Sequence, residues 1–270
     1  MTRHDLEHAI GWAAEEGWNP GLHDVEAFLA ADPEGFIVGL VDGEPVSCIS
    51  VVCYGPAFAF LGFYIVRSEY RGHGLGMKTW KAGMAHAAGR NVGLDGVVAQ
   101  QDNYRKSGFQ YAYANQRFEG EGGGSMPAGL TELRTVPFRA LADYDAVMFG
   151  TTREAFLKRW VALPGSRGLA VTRDGAVRGY GVIRACRSGC KIGPLFADDA
   201  EIAERIFSGL ASSATGQPVY LDVPRPNTAA MDLVRRHRMN PVFETARMYT
   251  GGDPGVPVER VFGVTTFELG

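Results

Sequence analysis

Two Asp-Gly pairs, Asp42-Gly43 and Asp174-Gly175, each lie between β-rich runs, and the pattern around the first recurs around the second. Asp-Gly joins strands well because both central residues of a type I′ turn take positive φ. In the first copy, apolar Leu6, Ala9, Ile10 and Ala13, then Val25, Phe28 and Leu29, follow helical spacing. Strands are predicted at Gly35 to Val41, Val46 to Cys53 and Ala59 to Val66, then a helix carrying Leu75, Trp80, Met84 and Ala87. Short strands are predicted at Val97 to Gln100 and Tyr111 to Phe118. The second copy predicts helices around Ala140 to Phe149 and Arg153 to Val161, and strands Gly168 to Arg173, Val177 to Cys186 and Lys191 to Phe196. Helix Asp198 to Ser212, strand Pro218 to Val223, helix Asn227 to His237 and strands Val242 to Thr250 and Arg260 to Leu269 complete it. Between the copies, Glu119 to Pro127 is Gly, Ser and acid without apolar periodicity, and reads as flexible coil. The predicted organisation is therefore a domain over residues 1–120, a Gly-rich linker over 121–130 and a second domain over 131–270. An antiparallel meander in each half makes both of them mixed α/β (α+β) sheets rather than one doubly wound sheet.

Apolar residues are 46% of the 270, enough to fill a core in each half. The charge balance narrows the partners. Twenty-seven Lys and Arg against 30 Asp and Glu give −3, so no broad basic surface is available to displace counterions from nucleic acid. No run approaches the ~18 apolar residues of a membrane span, and the acid-bearing start, Met1 to His8, does not read as a signal peptide. Four cysteines are too few for a disulfide scaffold, and Cys186 and Cys190 lack further partners at zinc spacing. The expectation is a soluble cytoplasmic protein without metal, a monomer or weak homo-oligomer.

One strand-to-helix junction carries chemistry. Leu61 to Val66 runs into Arg67-Ser68-Glu69-Tyr70-Arg71-Gly72-His73-Gly74-Leu75-Gly76-Met77 and then a helix. Three glycines in five positions bare successive backbone N–H groups at a helix N-terminus, where the dipole also favours an anion, and Arg71 adds a fixed cation. A pyrophosphate suits such a turn. The dinucleotide spacing fails because Met77 stands where its last glycine belongs, and no Gly-Lys-Ser/Thr completes a P-loop.

Arg71-x-x-Gly74-x-Gly76 after a strand resembles the acetyl-CoA signature of the GNAT (Gcn5-related) N-acetyltransferases. Tyr104, four residues before Gly108-Phe109, resembles a tyrosine that many of those enzymes carry, although the helix before it is shortened to about one turn. Glu15 to Gly21, with Asp24 and Phe28, and the closing Arg260 to Gly263 and Phe267 to Gly270 are similar to a tandem group with a second acetyltransferase-like domain. The resemblance implies two tandem GNAT-like acyl-CoA N-acyltransferase domains, one of them using acetyl-CoA as cosubstrate. The activity it implies is acetylation of a small primary amine or amino-acid-like acceptor by direct attack in a ternary complex. The cofactor residues would be Tyr64, Ile65, Val66, Arg71, Gly72, His73, Gly74, Leu75, Gly76 and Met77, with pantetheine along Phe63 to Val66 beside the Val97 strand. Tyr104 would protonate the departing thiolate, and Trp18, Asn19, Asp24 and Asp222 would contact the acceptor. Glu69, Asp95, Asp102 and Asp222 are candidate bases, Asp222 foremost because it ends a buried strand. Other readings are a non-catalytic acyl-CoA sensor and a nucleotide-binding protein of another class.

At the matching place the second half reads Gly193-Pro194-Leu195-Phe196-Ala197-Asp198-Asp199-Ala200-Glu201, without Gly-x-Gly or Arg. Its three acids stabilise a helix N-terminus and repel a pyrophosphate. That half is expected to keep the fold, bind no cofactor and close over the first.

Overall fold

A computed structural model describes all 270 residues. The first half contains α1 (Arg3–Glu15), α2 (Asp24–Ala31), β1 (Phe36–Val41), β2 (Glu44–Tyr54), β3 (Phe58–Val66), α3 (Leu75–His86), β4 (Asn91–Val97), α4 (Gln101–Lys106) and β5 (Gln110–Glu121). The second contains β6 (Thr131–Glu132), α5 (Phe138–Phe149), α6 (Glu154–Trp160), β7 (Arg167–Arg173), β8 (Ala176–Ala185) and β9 (Cys190–Ala197). It continues through α7 (Ala200–Ala211), β10 (Pro218–Pro224), α8 (Thr228–Arg236), β11 (Asn240–Tyr249) and β12 (Val261–Gly263). Both Asp-Gly pairs sit at positive φ between antiparallel strands, the conformation their sequence calls for.

The halves do not form separate sheets. All twelve strands join one sheet in the order β1-β2-β3-β4-β11-β5-β10-β9-β8-β7-β6, with β12 against β9. Each half therefore lends a strand to the other, β11 lying beside β4 and β5 beside β10. At each junction a buried ion pair crosses between strands in register. Arg117 on β5 faces Asp222 on β10 with two bonds of 2.6 and 2.8 Å. Arg247 on β11 faces Asp95 on β4 with two bonds of 2.8 and 2.7 Å. The largest apolar cluster also spans both halves, with the Phe28 and Trp160 rings stacked where α2 meets α6.

Three sequence-based expectations change. The strand expected at Val97 to Gln100 lies earlier, at Asn91–Val97, and Val98–Gln100 is a 3-10 turn. Gly93 and Gly96 hid it by breaking the apolar alternation; Cβ atoms there would meet the packed rings of Tyr249 and Tyr104. Of Arg260 to Leu269 only Val261–Gly263 is strand, and the rest turns back across the sheet. The glycine run is not free coil, because Gly122 and Gly123 donate to the carbonyls of Gln217 and Ala211. No helix is long and apolar enough to cross a membrane.

Candidate acyl-transfer site

The cleft exists because β3 and β4 part company. They pair in parallel only from Phe58–Asn91 to Leu61–Leu94. Beyond that, Phe63 and Tyr64 together face the single Ile49 of β2, and Phe63 takes a φ of 45°. A bulge of this kind bends the strand and ends its pairing, and such strained positions cluster at functional sites. The wedge left open has a volume of about 340 Å³. Its walls are Leu61 to Val66 of β3, Leu94 to Val97 of β4, and Tyr104 of α4. The second half closes it with Phe243 and Thr245 of β11 and with Phe267 and Glu268.

At one end of the wedge the glycine turn leads into α3. Gly72 and Gly74 have φ of 82° and 75°, and Gly74 caps the helix without any side chain bonding to the first turn. The N–H groups of Leu75, Gly76 and Met77 therefore remain available to an anion. Arg71 donates from Nε to the Val66 carbonyl at 2.8 Å and pairs with Glu16, so its guanidinium stands at the cleft mouth. Tyr64, Ile65 and Val66 line the wedge, and Gly72, His73, Gly74, Leu75, Gly76 and Met77 form the turn and helix start. These ten positions lie together.

Tyr104 sits across the wedge, 9% exposed, its ring stacked on Trp80 at 6.0 Å and edge-on to Phe109 at 6.4 Å. Gly96 makes room for it, since a Cβ there would lie 2.2 Å from the ring. Burial pushes the Tyr104 phenol up to about 12, so the hydroxyl holds its proton throughout the neutral range.

The residues expected at the acceptor end fare differently. Trp18 lines the cleft. Asn19 instead ties the halves together, bonding through its side chain to both the N–H and the carbonyl of Ser188. Asp24 is buried against Arg184 at 2.9 Å and accepts from the Gly21 N–H. Asp222 is 1% exposed and fixed by Arg117, which counters the rise that burial alone would cause and keeps its carboxyl below the ordinary range. A carboxylate so held makes a poor base, and it does not line the wedge. Asp95 does line it but is committed to Arg247 and Asn115. Glu69 and Asp102 pair with Arg67 and Arg105. Sequence reasoning missed Phe243 and Thr245, which reach the cleft on the exchanged strand β11, and Glu268, which reaches it on the tail that crosses β3 at Gly62.

In the second half the equivalent parting of β9 and β10 is filled by protein. Strand β12 pairs with Phe196 and Leu195, the Val264 N–H bonds to the Asp222 carbonyl, and a Cβ on Gly193 would lie 2.4 Å from the Thr265 carbonyl. Asp199 caps α7 through the Ile202 N–H at 2.8 Å, taking up a donor that the first-half turn leaves open. The same tail crosses the first half at Gly62, where a Cβ would come 2.1 Å from the Glu268 carbonyl. Gly62→Ala should therefore push the tail off β3, costing about 1–3 kcal/mol in urea unfolding, with a larger loss in activity.

Away from the cleft, Asp32, Cys53 and His86 bring three possible ligand atoms within 4.8 Å of one another. There the Asp32 carboxylate already accepts from His86 at 2.8 Å and from the Cys53 N–H at 2.9 Å, which ties β2 to α3.

Comparison with known proteins agrees with this geometry. Residues 3–109 match the acetyltransferase (GNAT) family and residues 141–263 an acetyltransferase (GNAT) domain. The holothin acyltransferase of Pseudoalteromonas sp. (strain SANK 73390) is 32% identical over 262 residues, 96% of this chain and 89% of that protein. The chain belongs to the GNAT acetyltransferases. An uncharacterized N-acetyltransferase of Bacillus subtilis (strain 168) is 26% identical, covering 84% of this chain and 82% of its own length. Among solved structures, a tandem GNAT protein from the clavulanic acid biosynthesis pathway superposes with a TM-score of 0.62 at 13% identity, over 94% of this chain and 97% of that one. A Pyrococcus horikoshii protein assigned to the acetyltransferases gives 0.79 at 23% identity, over 91% and 83% of the two chains. Two GNAT domains in tandem thus share one mixed sheet in this enzyme.

Proposed function

We propose that this GNAT protein transfers an acetyl group from acetyl-CoA to a small primary amine, at one site in the first half. The observation that supports the reading is the run of the wedge from Val66 and Arg71, which lead into the turn before the uncapped start of α3, along the unpaired edge of β3 to Tyr104. The N–H groups of Leu75 to Met77 would hold the diphosphate. The open backbone of Gly62 to Ile65 would bond the pantetheine amides, as a strand adds to a sheet edge. The thioester supplies the activated acyl carbon. Tyr104 would then give its proton to the sulfur as negative charge builds there. Trp18, Phe243, Phe267 and Glu268 would form the acceptor end, shared between the halves.

Calorimetry with acetyl-CoA, together with thiol release across an amine panel that includes holothin, tests the reading. Binding with turnover of at least one amine supports it, and absence of acetyl-CoA binding would reject it. Because the Tyr104 proton persists to about 12, kcat should show no fall between pH 7 and pH 10. An alkaline limb below pH 10 that disappears in Tyr104→Phe would show that the phenol loses its proton earlier than its burial implies.

A further inference from the structure

Three carboxylates line the cleft, and two of them have partners. Glu16 pairs with Arg71, and Asp95 is held by Arg247 and Asn115. The third, Glu268, is 4% exposed, and it bonds to the protein through its backbone while its carboxylate faces the cleft without a donor. The chain is not loose there. Thr266 Oγ1 accepts from the N–H groups of Glu268 and Leu269 at 3.1 and 2.9 Å, and the Leu269 carbonyl accepts from the Tyr54 hydroxyl at 3.0 Å. The cations in electrostatic reach, Arg117, Arg184 and Lys191, donate elsewhere. Arg117 serves Asp222 and the Trp18 carbonyl, Arg184 serves Asp24, and Lys191 serves the Asn19 carbonyl. An unpartnered carboxylate on a fixed backbone, beside the aromatic rings of the wedge, is tolerated where a bound molecule brings the missing donor.

We infer that Glu268 receives the ammonium group of the acceptor and takes its proton, and that the acceptor is a primary alkylamine bearing an aromatic body. The inference rests on the acyl-transfer reading above. The carboxylate selects the cation, and the rings of Trp18, Phe243 and Phe267 beside it select the body. An ammonium nitrogen passes one proton to Glu268, and its freed lone pair forms the C–N bond to the thioester carbonyl carbon. The C–S bond breaks and the sulfur takes the Tyr104 proton. A second proton, shed by nitrogen as the amide forms, restores Tyr104 through water, and Glu268 releases its own to solvent.

The test uses 2-phenylethylamine, protonated at pH 7, and aniline, neutral at pH 7, each with acetyl-CoA. Glu268→Gln should lower kcat/KM for 2-phenylethylamine about 100-fold while changing aniline acetylation by less than about threefold. Glu268→Asp, which keeps the charge, should recover about tenfold over Glu268→Gln. The acetyl-CoA Kd should be the same in all three proteins. Equal losses on both amines, no loss on 2-phenylethylamine, or a wild type that binds acetyl-CoA but does not acetylate 2-phenylethylamine would each overturn the inference. A wild type that fails to bind acetyl-CoA overturns the acyl-transfer reading instead.

Discussion

Tyr104→Phe is expected to lower kcat about 100-fold with the acetyl-CoA Kd unchanged, the size of effect that a positioned general acid supplies. The substitution removes one oxygen and leaves the ring stacked between Trp80 and Phe109, so α4 and the adjoining wall of the wedge stay in place. A phenol held near 12 stays protonated until the leaving sulfur has gathered charge. Stopped-flow thiol release should show the acyl-transfer step itself slowed, while calorimetry reports unaltered binding. Equal kcat in the two proteins would reduce Tyr104 to a packing residue.

The second large effect concerns stability. Asp222→Ala and Asp95→Ala should each cost about 3–5 kcal/mol in urea unfolding, because each leaves a buried arginine without its partner. Replacing both members, as in Arg117→Met with Asp222→Leu, should recover most of that loss, since no unpaired charge then remains inside. Additive losses in the double variant would show that the pairs stabilise through contacts other than their charge. The two pairs occupy corresponding places on the exchanged strands, so similar penalties are expected at both junctions.

What could be read from the sequence was the local part. The turn from Arg71 to Met77 is written in contiguous residues, because glycines that open a helix start act within one turn of chain, and Tyr104 follows from its spacing to Gly108-Phe109. The strand order was beyond reach: the antiparallel neighbour of β4 and both neighbours of β5 come from the far half, and nothing in the period-two pattern of β11 says which edge it joins. The same limit explains the acids. Asp24 and Asp222 look alike to Glu268 in sequence, but Arg184 and Arg117 reach the first two from other strands and leave the third unmatched. Composition shows that charges exist; only the fold shows which are paired.

The lending of strands between halves also sets a timetable for synthesis. When residues 1–121 have left the ribosome, β4 and β5 still lack the strand that belongs between them, and two open edges wait until residues 240–249 emerge. Contacts of such long sequence separation close slowly, and unpaired edges invite sticking in the interval. Because Glu268 arrives later still, the pocket for the acceptor is completed last, and a stalled nascent chain would present the phosphate turn without the chemistry it serves.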